Sequence, residues 1–273
     1  MSRPSTAEAV SGVAIEHHEI ATPDGVLHAL RGGEPTGTPV LLLHGMTSNS
    51  GCWVAAGFSD ALTRAGRRWI ALDVRGHGAS MKPYGTAHYR LPALIGDVLA
   101  LLDGLSLERV DVVGYSFGGH LAGEFAVAHP DRVRALVLGG FDGGYAPPPE
   151  GIERRLRSHL EHGTVLPSEF ARGFWAQITA PGNDPRAVLS CFEVAMQDIR
   201  PRKGRPTLTG YPGPLLVCAG RNDAVAPGIE QLAMLTHQGV ARWAGDHDHP
   251  GALGSPEFET AVLEFLGQFP QDA

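Results

Sequence analysis

Between Pro39 and Gly139 the chain alternates two hydrophobic patterns. Pro39–His44 (PVLLLH), Trp69–Val74 (WIALDV), Val110–Gly114 (VDVVG) and Val133–Gly139 (VRALVLG) are short, nearly unbroken apolar runs, as expected of strands covered on both faces. Between them Phe58–Ala65, Leu91–Leu105 and Phe117–Ala128 place apolar residues at helical intervals. The first stops at Gly66 and the last before Pro130. Upstream, Ile15–Thr22 and Val26–Leu30 flank a Pro23-Asp24-Gly25 turn and predict a β-hairpin. Strand–helix alternation returns near the end, with Leu215–Ala219 and Val240–Ala244 as strands and Pro227–Thr236 and Glu257–Phe269 as helices. This order predicts an α/β protein with a mostly parallel central sheet and helices on both faces.

The rhythm breaks after Val133–Gly139. A stretch rich in glycine, with three consecutive prolines, is followed by a mainly polar, helix-leaning segment that ends at Tyr211-Pro212-Gly213-Pro214. We expect a core domain of residues 1–141 and 214–273, interrupted by a mainly helical cap of residues 142–213. Composition agrees with one such unit. The 273 residues are 43% hydrophobic and 19% charged, ordinary for a chain with a sizeable core. A net charge of -7 with no basic run gives no reason to expect nucleic-acid or anionic-membrane binding. No apolar run approaches the roughly 18 residues of a membrane span, and Met1 to Gly12 lacks the apolar core of a signal peptide. The expected location is therefore the cytoplasm. The three scattered cysteines, Cys52, Cys191 and Cys218, read as reduced, buried small hydrophobes rather than a disulfide frame or a metal site.

Candidate chemistry centres on Gly114-Tyr115-Ser116-Phe117-Gly118, a G-x-S-x-G pattern that follows a buried strand and opens a helix. A turn that tight needs glycines on either side. It lifts the serine hydroxyl above the sheet and aims the helix N-terminus at developing negative charge. Here the chain resembles the α/β-hydrolase family from Ile15 to Phe269, the cap excepted. The likeness rests on five motifs in order: His44-Gly45-Met46, Asp73-Val74-Arg75-Gly76-His77-Gly78-Ala79-Ser80, the serine turn, Gly220-Arg221-Asn222-Asp223, and a late histidine.

A serine hydroxyl needs a base to take its proton, usually a histidine held by a carboxylate. In the fold that the chain resembles, the order is Ser, acid, His. Asp223, just after Leu215–Ala219, fills the acid position at the carboxyl edge of the sheet; Asp198, inside the cap, is its nearest rival. Asp246-His247-Asp248-His249-Pro250 offers two bases. The family pattern runs from the histidine to a Pro-Glu pair opening the last helix, here Pro256-Glu257. That favours His249 and leaves His247 as the alternative. The oxyanion donors expected are the backbone N–H of Phe117 and, by the resemblance, that of Met46. Met46 is also expected to line the acyl pocket, and His44 to pin the loop. Arg75, His77 and Ser80 read as braces beside the site, and His17, His18 and His129 as surface residues.

No cofactor or metal is implied. The resemblance implies a hydrolase that cleaves a carboxylic ester or lactone through an acyl-enzyme on Ser116. Its substrate would be a small hydrophobic molecule admitted past Phe174, Trp175, Tyr145 and Phe192 in or beside the cap. Carbon–carbon hydrolysis of a diketone-like substrate and cofactor-free perhydrolysis use the same parts. A hydrolase-like ligand-binding protein with slow turnover is the non-enzyme alternative. A serine in the turn argues against epoxide hydrolase and dehalogenase chemistry, whose family members use aspartate there.

Overall fold

A computed structural model describes residues 4–10, 13–144, 149–199 and 208–269. The solid apolar runs form the centre of the sheet: β4 (Val40–Leu43), β5 (Trp69–Leu72), β6 (Val110–Tyr115), β7 (Val133–Gly139) and β8 (Leu215–Ala219). Every one of their residues is buried. Before them come β1 (Pro4–Val10), β2 (Val13–Thr22) and β3 (Gly25–Gly32), and after them β9 (Gly239–Trp243). Among the described residues the sheet has nine strands in the order β1-β2-β3-β5-β4-β6-β7-β8-β9. Pairing is antiparallel from β1 to β5 and parallel from β5 to β9.

Side-chain alternation along these strands sorts the core into two layers. Leu41, Leu43, Ile70, Leu72, Val112 and Leu136 belong to one cluster. Val40, Leu42, Trp69, Ala71, Val113 and Val137 belong to the other. Each fully buried Leu or Val contributes about 1.5–3 kcal/mol. The first layer is covered by α3 (Leu91–Gly104), α4 (Phe117–Ala128) and α8 (Ile229–Ala233). The second is covered by α1 (Gly51–Ala55), α2 (Phe58–Arg64) and α10 (Pro256–Gly267). Between β7 and β8, among the described residues, three α-helices are inserted: α5 (Ile152–His162), α6 (Glu169–Ile178) and α7 (Pro185–Ile199). Their buried residues, Ile152, Leu156, Ala171, Ile178 and Leu189 among them, are continuous with the first layer.

The predicted strands and the longer helices recur within a few residues. The expected helix Pro227–Thr236 is shortened to α8, because Pro227 and Gly228 stay outside it and the chain turns again before β9. β1 was not expected, and it changes the reading of β2, which becomes an interior strand. His18 is accordingly buried, 6% exposed, and its Nε2 meets Glu16. His17 is hydrogen-bonded to His28 rather than free in solvent. Both corrections come from pairing and packing around β2. The thiols of Cys191 and Cys218 are buried, and burial pushes Cys52 up to about 11 and Cys218 to about 12, so all three are kept as neutral, free thiols. Among the described residues no helix is long and apolar enough to cross a membrane.

Candidate active site

The site is built where β6 ends. Ser116 has φ +56° and ψ −119°, a conformation that costs a non-glycine residue about 1–3 kcal/mol. Two backbone bonds hold it there: Ser116 N–H donates to Gly139 O at 2.8 Å, and His120 N–H donates to Ser116 O at 3.1 Å. The flanking glycines permit the close approach this needs. A Cβ on Gly114 would lie 2.1 Å from Gly118 O, and one on Gly118 would lie 2.0 Å from Leu43 O. With hydrogen in those places, α4 starts directly against β4 and β6.

Ser116 Oγ donates toward His249 Nε2 at 2.9 Å, and His249 Nδ1–H donates to Asp223 Oδ2 at 2.8 Å. The Asp223 side chain is fully buried, while His249 keeps 26% of its side-chain surface exposed. The other Asp223 oxygen accepts the Val225 N–H at 2.8 Å. His249 is the first residue of α9 (His249–Leu253). This helix is capped by Asp248, whose side chain accepts the Gly251 N–H at 3.0 Å. The Tyr115 ring lies 5.4 Å from the His249 ring, and its hydroxyl donates to the His249 carbonyl. The structure thus brings Ser116, His249 and Asp223 into one hydrogen-bonded chain. It places His247 elsewhere: its ring meets Glu257 at 3.3 Å on the surface, and its carbonyl accepts the Asn222 N–H. Asp198 lies in α7, away from this chain in sequence and in element.

The loop after β4 passes beside the serine. A Cβ on Gly45 would stand 3.4 Å from Ser116 Cβ. Buried His44 pins this loop: its Nδ1–H donates to Gly45 O at 2.8 Å, and its Nε2 accepts the Val74 N–H at 3.1 Å. Both bonds suit the neutral ring, and burial holds its pKa below the usual histidine value. Among the described residues neither the Met46 nor the Phe117 N–H donates to a protein acceptor. Met46 packs against the same cluster as Phe174 and Trp175 of the insertion. The Phe174 ring lies 4.8 Å from that of Phe192. Tyr145 lies outside the described residues.

The expected braces are present. Arg75 bonds Asp97 through Nε and Nη2 at 2.5 and 2.6 Å, and also reaches Asp24 at 3.2 Å. Ser80 Oγ–H donates to Asp73 O and accepts the His28 N–H. Buried Asp73 accepts from His28, Ser50 and Ala79. Burial alone would raise its pKa, but the His28 hydrogen bond, the proximity of His44 and the two N–H donors outweigh it and hold the carboxyl well below the usual range. Fully buried His77 is pushed down to about 3, by burial first and by neighbouring His44 second. Tyr115 and Asp142 were missed by sequence reasoning. Tyr115 occupies a variable position of the motif, so no local signal marks it. Asp142, just past β7, accepts the Gly144 and Gly228 N–H groups and so ties down the loop that carries Asp223. Burial, with the Asp223 charge adding to it, raises its pKa against those hydrogen bonds.

Comparison with known proteins agrees with this architecture. A family model described as alpha/beta hydrolase fold matches residues 38–156. The chain is 34% identical over 139 residues to a putative 2-succinyl-6-hydroxy-2,4-cyclohexadiene-1-carboxylate synthase of Bacillus subtilis, a match covering 50% of this chain and 49% of that protein. It is 30% identical over 215 residues to a 2-hydroxymuconate semialdehyde hydrolase of Pseudomonas putida, covering 70% of this chain and 72% of the relative. The first of these matches spans about half of the relative's length. A crystal structure of a hydrolase from Pseudomonas aeruginosa PA01 superposes with a TM-score of 0.74 at 29% identity, covering 92% of this chain and 98% of that one.

Proposed function

Because the chain belongs to the α/β-hydrolase fold family, we propose that it is a serine hydrolase cleaving a carboxylic ester or lactone through an acyl-enzyme on Ser116. The observation that supports this reading is the continuous chain from Ser116 Oγ through the His249 ring to the buried Asp223 carboxylate. In this reading His249 takes the hydroxyl proton as Ser116 attacks the carbonyl carbon. Asp223 holds the tautomer and stabilises the imidazolium. His249 then protonates the departing alkoxide. Water, deprotonated by the same ring, releases the acid and restores Ser116. The Met46 and Phe117 N–H groups face the oxyanion. The core is residues 1–141 and 214–273, and residues 142–213 form a cap. The substrate is a small apolar molecule bordered by Met46, Phe174, Trp175 and Phe192, and no cofactor takes part. Epoxide opening by a serine would leave an ether, which has no carbonyl carbon for water to attack and so is not hydrolysed, and that chemistry does not fit Ser116.

A fluorophosphonate probe tests the nucleophile. Wild-type protein labels and Ser116→Ala does not; labelling that survives in Ser116→Ala refutes the assignment. The likeness to a relative named for 2-hydroxymuconate semialdehyde favours a second reading, carbon–carbon hydrolysis of a diketone-like substrate by the same three residues. Turnover of p-nitrophenyl esters and lactones beside a vinylogous diketone separates the two: burst kinetics with the esters supports the first, and turnover of the diketone alone supports the second.

A further inference from the structure

Gly45 to Ser48 forms a turn closed by the Ser48 N–H donating to Gly45 O at 3.2 Å. Met46 and Thr47 are its central residues, and Thr47 has φ +67°. A turn with positive φ at its third position calls for glycine or asparagine. Threonine opposes it, because its branched Cβ crowds the backbone. Such strain persists where surrounding contacts over-determine it, and here those contacts come from the inserted helices. Asn183 Nδ2 donates to the Thr47 carbonyl at 2.7 Å, and the Thr47 hydroxyl donates to Gln177 Oε1 at 3.2 Å. The same Asn183 amide donates to the Gln177 carbonyl at 3.1 Å, tying the last turn of α6 to this loop. Its Oδ1 is buried and, among the described residues, has no hydrogen-bond partner. The amide thus commits its donors to two carbonyls and leaves its acceptor unsatisfied, which is costly by itself.

We propose that Asn183, supported by Gln177, is a positioning residue: the insertion latches Thr47 in its strained conformation and so fixes the turn that presents the Met46 N–H to a carbonyl bound at Ser116. This rests on the reading of Met46 as an oxyanion donor. Released from Asn183, Thr47 relaxes toward negative φ. The turn then loosens, the Gly45–Met46 peptide that carries the Met46 N–H is no longer held in place, and the donor loses its fixed aim. Ground-state binding is little affected, because the interaction at stake forms as charge develops on the oxygen.

The test is a double-mutant cycle in the full chain, with Asn183→Ala and Asn183→Asp in Thr47 and Thr47→Gly backgrounds. Three measurements are made: kcat and KM on a p-nitrophenyl ester per titrated active site, inhibition by phenylboronic acid, and amide exchange of residues 45–48. Expected in the Thr47 background is an about tenfold loss of both kcat and boronate affinity, with KM within about twofold and faster exchange at 45–48. Glycine takes up positive φ unaided, so in the Thr47→Gly background the same substitutions cost less than about twofold. Equal losses in both backgrounds overturn the latch, as does unchanged kcat in Asn183→Ala. Asn183→Asp keeps the side-chain size and removes the donors, so it reads the latch even if Asn183→Ala folds poorly. Wild-type protein that neither labels with fluorophosphonate nor turns over the ester overturns the parent reading instead. Unchanged exchange at 45–48 overturns the latch without any substrate.

Discussion

At the scale of single residues, the serine depends on being lifted out of its strand, and the histidine on being turned inward. The first requirement is local: two glycines and a helix start around Ser116 are legible as a pattern. The second is not. His247 and His249 sit two positions apart in one loop, and spacing alone leaves both open. The structure separates them through Asp248, which caps α9 and starts that helix at His249, and through Glu257, which holds His247 at the surface. The consequence is unequal sensitivity. His249→Ala is expected to cut kcat at least about a thousandfold, whereas His247→Ala, which removes an exposed hydrogen bond to Glu257, changes it less than about fivefold. Steady-state kinetics on a common ester reads both, and the reverse ranking would make His247 the base. Asp223 was legible because it follows a strand in the expected chain order, while Tyr115 and Asp142 act through contacts that no short pattern contains.

At the scale of elements, apolar runs and helical spacing predicted β4 to β8 and the helices α2, α3, α4 and α10, because strands covered on both faces and helices with one apolar stripe print their periods on the chain, whereas α5 to α7 were expected only as a mainly helical segment. Five-residue helices carry too few turns to print a clear period: α1 and α9 went unpredicted, and α8 was expected too long. Glycines show the same division. Gly118 and Gly96 both lie in helices, yet a Cβ on Gly118 would meet the β4 backbone, whereas one on Gly96 meets nothing within 4 Å. Gly118→Ala should therefore cost about 3 kcal/mol or more, since backbone of the central sheet cannot move aside. Gly96→Ala should add about 0.5–1 kcal/mol by relieving glycine's entropy in mid-helix. Urea unfolding of the two variants gives the comparison; similar effects would mean that the tight contact under α4 is not real.

At the scale of the whole molecule, stability is tied to pH through histidines sealed into the core. His77, pushed down to about 3, and His44, also held low by burial, stay neutral in the folded chain at pH values where the unfolded chain binds protons. A depressed histidine pKa contributes no destabilisation above the unfolded value of about 6.5. As pH falls from there toward 3, His77 costs up to about 1.4 kcal/mol per pH unit, and His44 adds a cost of the same sign. Asp73 acts from the acid end of this window downward: its depressed pKa stabilises the fold above the unfolded carboxylate value of about 3.9, and that contribution is lost as pH drops further. Unfolding free energy measured from pH 7 to 4 should thus decline steeply, and more gently in His77→Gln. Equal slopes would show that His77 titrates alike in both states. The insertion belongs to this same unit, because its apolar residues are continuous with one layer of the core rather than with a core of their own.

The sequence by itself determined the strand–helix order, the place of the insertion, the serine turn and the aspartate that follows the strand after the insertion, because each of these is written in residues a few positions apart. Only the tertiary structure decided what depends on distant partners. It set the His249 ring between Ser116 and Asp223 and the His247 ring against Glu257, buried His18 beneath a pairing that includes β1, drew Asp73, His28 and Ser80 into one brace, and set Asn183 against Thr47 across 136 positions of chain. Periodicity reports which face of an element is covered; it does not report which side chain of another element covers it. The Ser116 hydroxyl was therefore visible from the outset, whereas the contacts that aim groups toward it became visible once the chain was folded.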